Sequence, residues 1–266
     1  VKSARRRPGV PLVLVVPALI GLVFLILPMV GLMVRAPWST LWSQLETAEV
    51  GEALRLSLVC ATLATVVSLV FGVPLAWMLA RTQIPGRRLV RAFVTVPLVL
   101  PPVVGGVALL LVFGRRGLVG QYMDQWFGVT LPFSTAGVVV AEAFVAMPFL
   151  IIAVEGALRG ADPRFEEAAA TLGASRWTAF RRVTLPTVAP GIAAGAVLCW
   201  ARALGEFGAT ITFAGNYPGT TQTMPLAVYL ALEKDPDSAT VLSLVLLVVS
   251  VVILISLRER WIGTRA

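Results

Sequence analysis

The sequence predicts an all-α, polytopic membrane protein with about six transmembrane helices. Three observations carry that expectation. Hydrophobic residues make up 58% of the 266 positions and charged residues only 14%, with a mean hydropathy of +0.87. A soluble domain carries about 25% charged residues, so the charges present are too few to cover a water-facing surface. The apolar residues are also gathered into runs close to the roughly 20 residues that a helix needs to cross a bilayer. Finally, the basic residues fall between these runs, and their density alternates from gap to gap.

Five runs hold no charge: residues 8–34, 56–80, 92–114, 183–201 and 238–257. A sixth, 135–158, is interrupted only by Glu142 and Glu155. The expected helices are 10–34, 54–80, 92–113, 135–158, 187–211 and 239–257, within one membrane domain spanning 1–266. A basic start precedes the first run, as it does in a signal peptide. That run exceeds the roughly 7–15 residues of a signal core, and no small-residue cleavage site follows, so it reads as an anchor. Another charge-free stretch lies between Glu206 and Glu233, but Gly208, Gly215, Asn216, Tyr217, Pro218 and Gly219 interrupt it. What remains, 224–232, is too short to cross and suits an interfacial or re-entrant helix.

With six crossings both termini share one side. On that side fall Lys2, Arg5, Arg6 and Arg7, then Arg81, Arg87, Arg88 and Arg91. Arg159, Arg164, Arg176, Arg181 and Arg182 follow there, and last Arg258, Arg260 and Arg265. The other side holds only Arg35, Arg55, Arg115, Arg116 and Lys234. The excess marks the cytoplasm, so both termini and the loops near 85 and 172 are expected there. The net charge of +8 is therefore a topology signal. Nucleic-acid binders cluster their basic residues on a soluble face, and no such partner is expected.

The residue types also narrow the chemistry. Cys60 and Cys199 sit singly in apolar runs, which suits neither a disulfide framework nor a zinc site. The sequence has no histidine, which removes the commonest general base and metal ligand. With no convergent carboxylate pair either, an integral membrane enzyme is disfavoured and no metal is expected. No Gly-x-x-x-x-Gly-Lys-Ser/Thr phosphate loop is present, so ATP is not expected to bind this chain. An ion-coupled secondary transporter stays open as a different class, since such proteins keep acids inside the membrane.

The loop at 159–186 is longer and more structured than a simple connector. Asp162 can cap a helix that Pro163 starts, and Glu166 and Glu167 suit the positive end of its dipole. Ala168, Ala169 and Ala170 are strong helix formers of little bulk. Gly173 is placed to end this helix, and Ser175 to cap a second one leading to Leu185 and Pro186. On these grounds alone the loop is either a solvated connector or a docking site. Glu167-Ala-Ala, three residues, Gly173, nine residues and then Val183-x-Leu185-Pro186 resembles the EAA loop of bacterial ABC importer permeases. The resemblance implies a type I ABC importer permease fold whose loop helix enters a groove in a nucleotide-binding ATPase subunit. Coupling residues would be Glu166, Glu167, Ala168, Ala169, Gly173, Leu185 and Pro186, with the contact chiefly on 163–172 and the Gly173 turn.

Two further segments narrow the likeness. Val96-Pro-Leu-Val-Leu-Pro-Pro-Val-Val-Gly-Gly is similar to a helix of permeases for tetrahedral oxyanions. Arg202-Ala-Leu-Gly-Glu-Phe-Gly-Ala-Thr-Ile-Thr-Phe-Ala-Gly-Asn, continued by Thr221-Gln-Thr-Met-Pro-Leu-Ala-Val-Tyr, resembles molybdate (tungstate) permeases, with sulfate or thiosulfate permeases as the alternative. The likeness implies a bacterial inner-membrane subunit that catalyses nothing itself and pairs with a second copy. It further implies two ATPase copies using ATP-Mg, and a periplasmic or lipid-anchored molybdate-binding protein.

Gly191, Gly195, Cys199, Arg202 and Glu206 step by three or four along the fifth helix, making a small and polar stripe. Arg202 and Glu206 can pair one turn apart, either to neutralise the helix end or as a gate beside the pathway. Pro101 and Pro102, with Pro97, can bend the third helix, as part of a gate or as a packing feature. Glu142 is expected to find a partner on a neighbouring helix, because a bare carboxylate would repel an oxyanion.

Overall fold

The computed structural model describes residues 12–262. In chain order the first helices are α1 (Leu12–Arg35), α2 (Leu41–Leu45), α3 (Ala48–Arg81), α4 (Arg87–Val99), α5 (Pro102–Phe113), α6 (Gly120–Phe127) and α7 (Thr135–Gly160). There follow α8 (Arg164–Thr171), α9 (Arg176–Ala179), a π-helical turn (Phe180–Thr184), α10 (Leu185–Leu204), α11 (Gly208–Phe213), α12 (Met224–Lys234) and α13 (Pro236–Ile262). The described residues contain no strand. Lys2, Arg5, Arg6, Arg7 and Arg265, on which the placement of the termini partly rests, lie outside the described residues.

Among the described residues five helices are long and apolar enough to cross a membrane, and a sixth crossing exists only if a bent pair is counted as one. That pair corrects the expected single helix at 92–113. The chain leaves the helix at Leu100 and Pro101 (ψ 133° and 131°), and α4 and α5 meet at 119°. Each of those two residues precedes a proline, which disfavours helical backbone, and Pro102 then opens α5, where its missing N–H costs nothing. At about 1.5 Å per residue, the 12 residues of α5 reach only about 18 Å, short of a roughly 30 Å core. The fifth expected helix, 187–211, is also corrected. It runs Leu185–Leu204, stops at Gly205, and resumes as the separate α11.

Helix α7 is the axis of the bundle, with α3, α10, α11, α4 and α5 all packed against it. In its most apolar stretch 61% of residues are buried, against none in that of α1. Lipid tails are as apolar as leucine side chains, so helices in a bilayer associate through close packing of small residues. Ala141, Ala143 and Ala146 of α7, Ala61, Ala64 and Ala76 of α3, and Cys199 and Ala203 of α10 are buried in these contacts. Gly191 and Gly195 face Ala157 and Ala153 of α7, so the small part of the predicted stripe is a packing seam. At one end of the bundle lie the connections 82–86 and 161–175. At the other lie α2, α6, α11 and α12.

Candidate functional site

The loop between α7 and α10 takes its shape from local hydrogen bonds. Asp162 Oδ1 accepts from the N–H of Arg164 at 2.9 Å, at the start of α8. At the far end Gly173 has φ +83°. Its N–H donates to the Ala170 carbonyl and that of Ala174 to the Ala169 carbonyl, both at 3.0 Å. This paired closure needs a left-handed residue, which glycine supplies without a side-chain clash. Ser175 then accepts from the N–H of Thr178 at 3.2 Å and starts α9. From Arg176 the backbone runs helically through the π turn to Leu204, so the second loop helix is the first turn of the fifth membrane helix.

That continuity separates the expected coupling residues. Glu166, Glu167, Ala168, Ala169 and Gly173 sit on α8 and its closing turn, whereas Leu185 and Pro186 open α10. Helix α8 packs on the π turn that precedes them. Glu167 and Ala168 are exposed, and Glu166 and Ala169 are half-buried. Two residues unmarked in the sequence stand out on the same helix: Phe165 is 61% and Leu172 88% exposed. With Ala168 they recur at helical spacing, forming an apolar stripe with no partner among the described residues. The sequence signal was there, since large apolar residues flank the alanine run.

Beneath α8 lies a cavity of about 370 Å³ lined by Trp77, Arg81, Glu166, Arg176 and Phe180 among others. Phe180 packs edge-on to Trp77 of α3 at 5.9 Å and stacks on Trp177 at 5.7 Å. Arg81 meets Glu166 at 3.2 Å, and Glu155 of α7 meets both Arg91 of α4, at 2.6 Å, and Arg159, at 2.7 Å. Only the Glu155–Arg159 spacing was visible as a helical pair. The links to α3 and α4 join positions far apart in sequence.

The candidate gate lies near the other end. Arg202 and Glu206 pair at 2.6 Å, with side chains 28% and 1% exposed. Glu206 lies beyond the helix break at Gly205, and its Oε1 accepts from the N–H of Ala209 at 2.8 Å. Glu206 thus serves an arginine and the first turn of α11 together. Pro102 comes close to this corner: a Cβ on Gly208 would fall 2.9 Å from Pro102 Cβ and 3.1 Å from the Val103 nitrogen. The proline break and the Glu206 turn therefore share one junction, between α5 and α11. Glu142 departs from expectation. It is buried, its Oε2 has no hydrogen-bond partner, and no ion pair reaches it among the described residues. The Glu206 carboxylate is near enough to act on it electrostatically, and Glu206 already holds Arg202.

Comparison with known proteins places this geometry. Residues 72–265 match the family of binding-protein-dependent transport system inner membrane components. The chain belongs to that family. It is 47% identical over 249 residues to the molybdenum transport system permease protein ModB of Mycobacterium tuberculosis, covering 93% of this chain and 94% of the relative. It is 35% identical over 261 residues to the sulfate transport system permease protein CysT of Salmonella typhimurium, covering 97% and 94%. Among solved structures it resembles a bacterial ABC transporter involved in the import of the acidic polysaccharide alginate. There the TM-score is 0.77 at 20% identity, over 96% of this chain and 95% of that one. The fold is that of an ABC importer permease, and family members are transport subunits.

Proposed function

We propose that the chain is the membrane-spanning subunit of an ATP-driven importer that brings molybdate into the bacterial cytoplasm. The substrate reading rests on the 47% identity to a molybdenum permease against 35% to a sulfate permease, each over more than nine-tenths of the chain. The mechanical reading rests on one structural observation: α8 carries an unpartnered apolar stripe, Phe165–Ala168–Leu172, beside the exposed Glu167. A stripe of that kind marks a protein contact, and a separate nucleotide-binding ATPase is its occupant in this reading. The end of the bundle bearing α8 faces the cytoplasm, in keeping with the excess of arginine there.

The assembly has two copies of this chain, two ATPase subunits using ATP-Mg, and an external binding protein that delivers the anion. The chain itself binds no cofactor. ATP binding draws the two α8 helices together and opens the outer side, and hydrolysis resets the inner side. Arg202, Glu206, Pro101 and Pro102 form a gate, in which Arg202 and Glu206 re-pair as the α5–α11 junction moves.

The test is uptake into proteoliposomes holding the full complex and its binding protein. Radiolabelled molybdate should accumulate only with ATP, and unlabelled tungstate should compete. Uptake supported by sulfate-loaded but not molybdate-loaded binding protein would transfer the assignment to sulfate. Uptake driven by an ion gradient without ATP would remove the ATPase altogether.

A further inference from the structure

Helix α8 joins α7 and α10 through two short turns, Ala161–Pro163 and Gly173–Ser175, which by themselves would let it tilt without moving either helix. One ionic clasp limits that freedom directly, and a second ties α7, to which α8 is joined, to a neighbouring helix. Arg81, the last residue of α3, reaches Glu166 at 3.2 Å and also donates to the Ala161 carbonyl at 3.1 Å. Its side chain is 15% exposed and that of Glu166 27%. Deeper in the bundle, the Glu155 carboxylate of α7, 8% exposed, accepts from Arg91 of α4 and from Arg159. The two adjacent glutamates of α8 thus face different ways. Glu166 turns back to α3, while Glu167 is exposed and has no ion pair among the described residues.

We propose that these clasps are a transmission strut. Arg81 with Glu166 couples α8 to α3, and Glu155 with Arg91 and Arg159 couples α7 to α4. A displacement of the loop then moves four membrane helices, not only the two it joins. The inference rests on the reading of α8 as the ATPase-docking helix.

The physical case has three parts. No covalent path shorter than about 80 residues links α3 to α8, so a push on α8 reaches α3 only through side chains. Arg81 and Glu166 have little water access, so their attraction is screened weakly by salt, and the bond that Arg81 also donates to the Ala161 carbonyl holds the guanidinium in place. Arg91 lies on α4, nine residues ahead of the Leu100–Pro101 break, and Pro102, just past the break, meets α11 at Gly208. Movement of α4 therefore bears on the corner that holds Glu206. The path runs from the loop into α7, then through Glu155 and Arg91 along α4 to the junction proposed as the gate.

A strut and a mere staple differ in what they do to coupling. The complex of full-length permease, ATPase and molybdate-loaded binding protein is reconstituted, and radiolabelled molybdate uptake and ATP hydrolysis are measured in the same vesicles. In Glu166→Gln, and independently in Arg81→Met and Glu155→Gln, molybdate imported per ATP should fall by roughly twofold to thirtyfold, the span covered when one coupling residue is removed. With Arg81→Met and Glu155→Gln, whose residues lie off α8, the ATPase should still co-purify in the wild-type ratio. The exchange Arg81→Glu with Glu166→Arg should recover most of the lost ratio, which a packing role would not allow. An unchanged ratio in Glu166→Gln, or uptake and hydrolysis falling in parallel with no recovery in the exchanged pair, overturns the strut. If wild-type uptake needs no ATP, the docking reading fails and the strut falls with it. If wild-type uptake is ATP-driven and only the ratio test fails, docking stands and the strut alone is lost.

Discussion

A Cβ built on Gly191 of α10 would fall 2.3 Å from the Cβ of Ala157 in α7. Real Cβ contacts are never that short, and both atoms sit on helix backbones that cannot step aside locally. Gly195, one turn on, meets Ala153 Cβ at 3.0 Å in the same seam. Gly191→Ala should therefore part the helices and cost about 1–3 kcal/mol despite its better helix propensity. Gly156→Ala, on the same α7 but with nothing within 4 Å, should be neutral or stabilising by up to about 1 kcal/mol. Thermal unfolding of the two variants in detergent checks this, and only Gly191→Ala should lower the midpoint.

Gly173 presents the reverse case. It too has nothing within 4 Å of a built Cβ, but its φ is +83°, so any penalty there comes from the backbone. Gly173→Val should cost about 1–3 kcal/mol of local strain and distort the closing turn of α8. Gly173→Asn should cost less, because asparagine tolerates left-handed backbone. ATP-driven uptake should fall in the order Asn, then Val, while the amount of protein inserted in the membrane stays level.

Leu172 follows Ala168 on the exposed stripe and is 88% exposed. An exposed leucine buried by a partner is a source of binding energy, and one beside water alone is not. Leu172→Ser should leave the thermal stability of the isolated permease within about 0.5 kcal/mol. It should weaken ATPase binding by about tenfold, as expected for an anchor worth more than 1 kcal/mol. Titration of the purified ATPase onto nanodisc-embedded permease measures the affinity, and thermal unfolding of the permease alone measures the stability.

These residues also show how far the sequence could be read. The helix at Arg164–Thr171 was legible because its signals are local: Asp162 and Pro163 at one end, Gly173 at the other. Four of the five long spans were legible from charge-free length alone, and Thr135–Gly160 from a run that only Glu142 and Glu155 interrupt. The break at Leu100–Pro101 was only half legible. Two adjacent prolines announce a bend, but the 119° turn depends on how α5 seats against α11 at Gly106 and Gly208. Arg81 meeting Glu166, and Arg91 meeting Glu155, were not legible, since nothing in a single sequence ties residues that far apart. Glu142 departs for a related reason: burial of an acid says that a partner is needed, but not which neighbour packs against it, and its Oε2 has none among the described residues.

Asp235, between α12 and α13, gives a prediction in pH. Ser238 Oγ donates to its Oδ2 at 2.5 Å and the Asp237 N–H to its Oδ1 at 3.2 Å. These bonds favour the ionised carboxylate, and chiefly through Ser238 they hold its pKa below the ordinary aspartate value. A group whose folded pKa is lowered contributes stability that is complete above its unfolded pKa, about 3.9 for aspartate, and is lost as pH falls through the lower folded value. Protection of the Asp237–Thr240 amides against hydrogen exchange should thus be level from neutrality down to about pH 4 and drop below it. In Asp235→Asn the side chain cannot ionise, so the drop should vanish, leaving a first turn of α13 that frays to the same extent at every pH. A drop that persists in Asp235→Asn would place the titrating group elsewhere, with Asp237 the next carboxylate to replace.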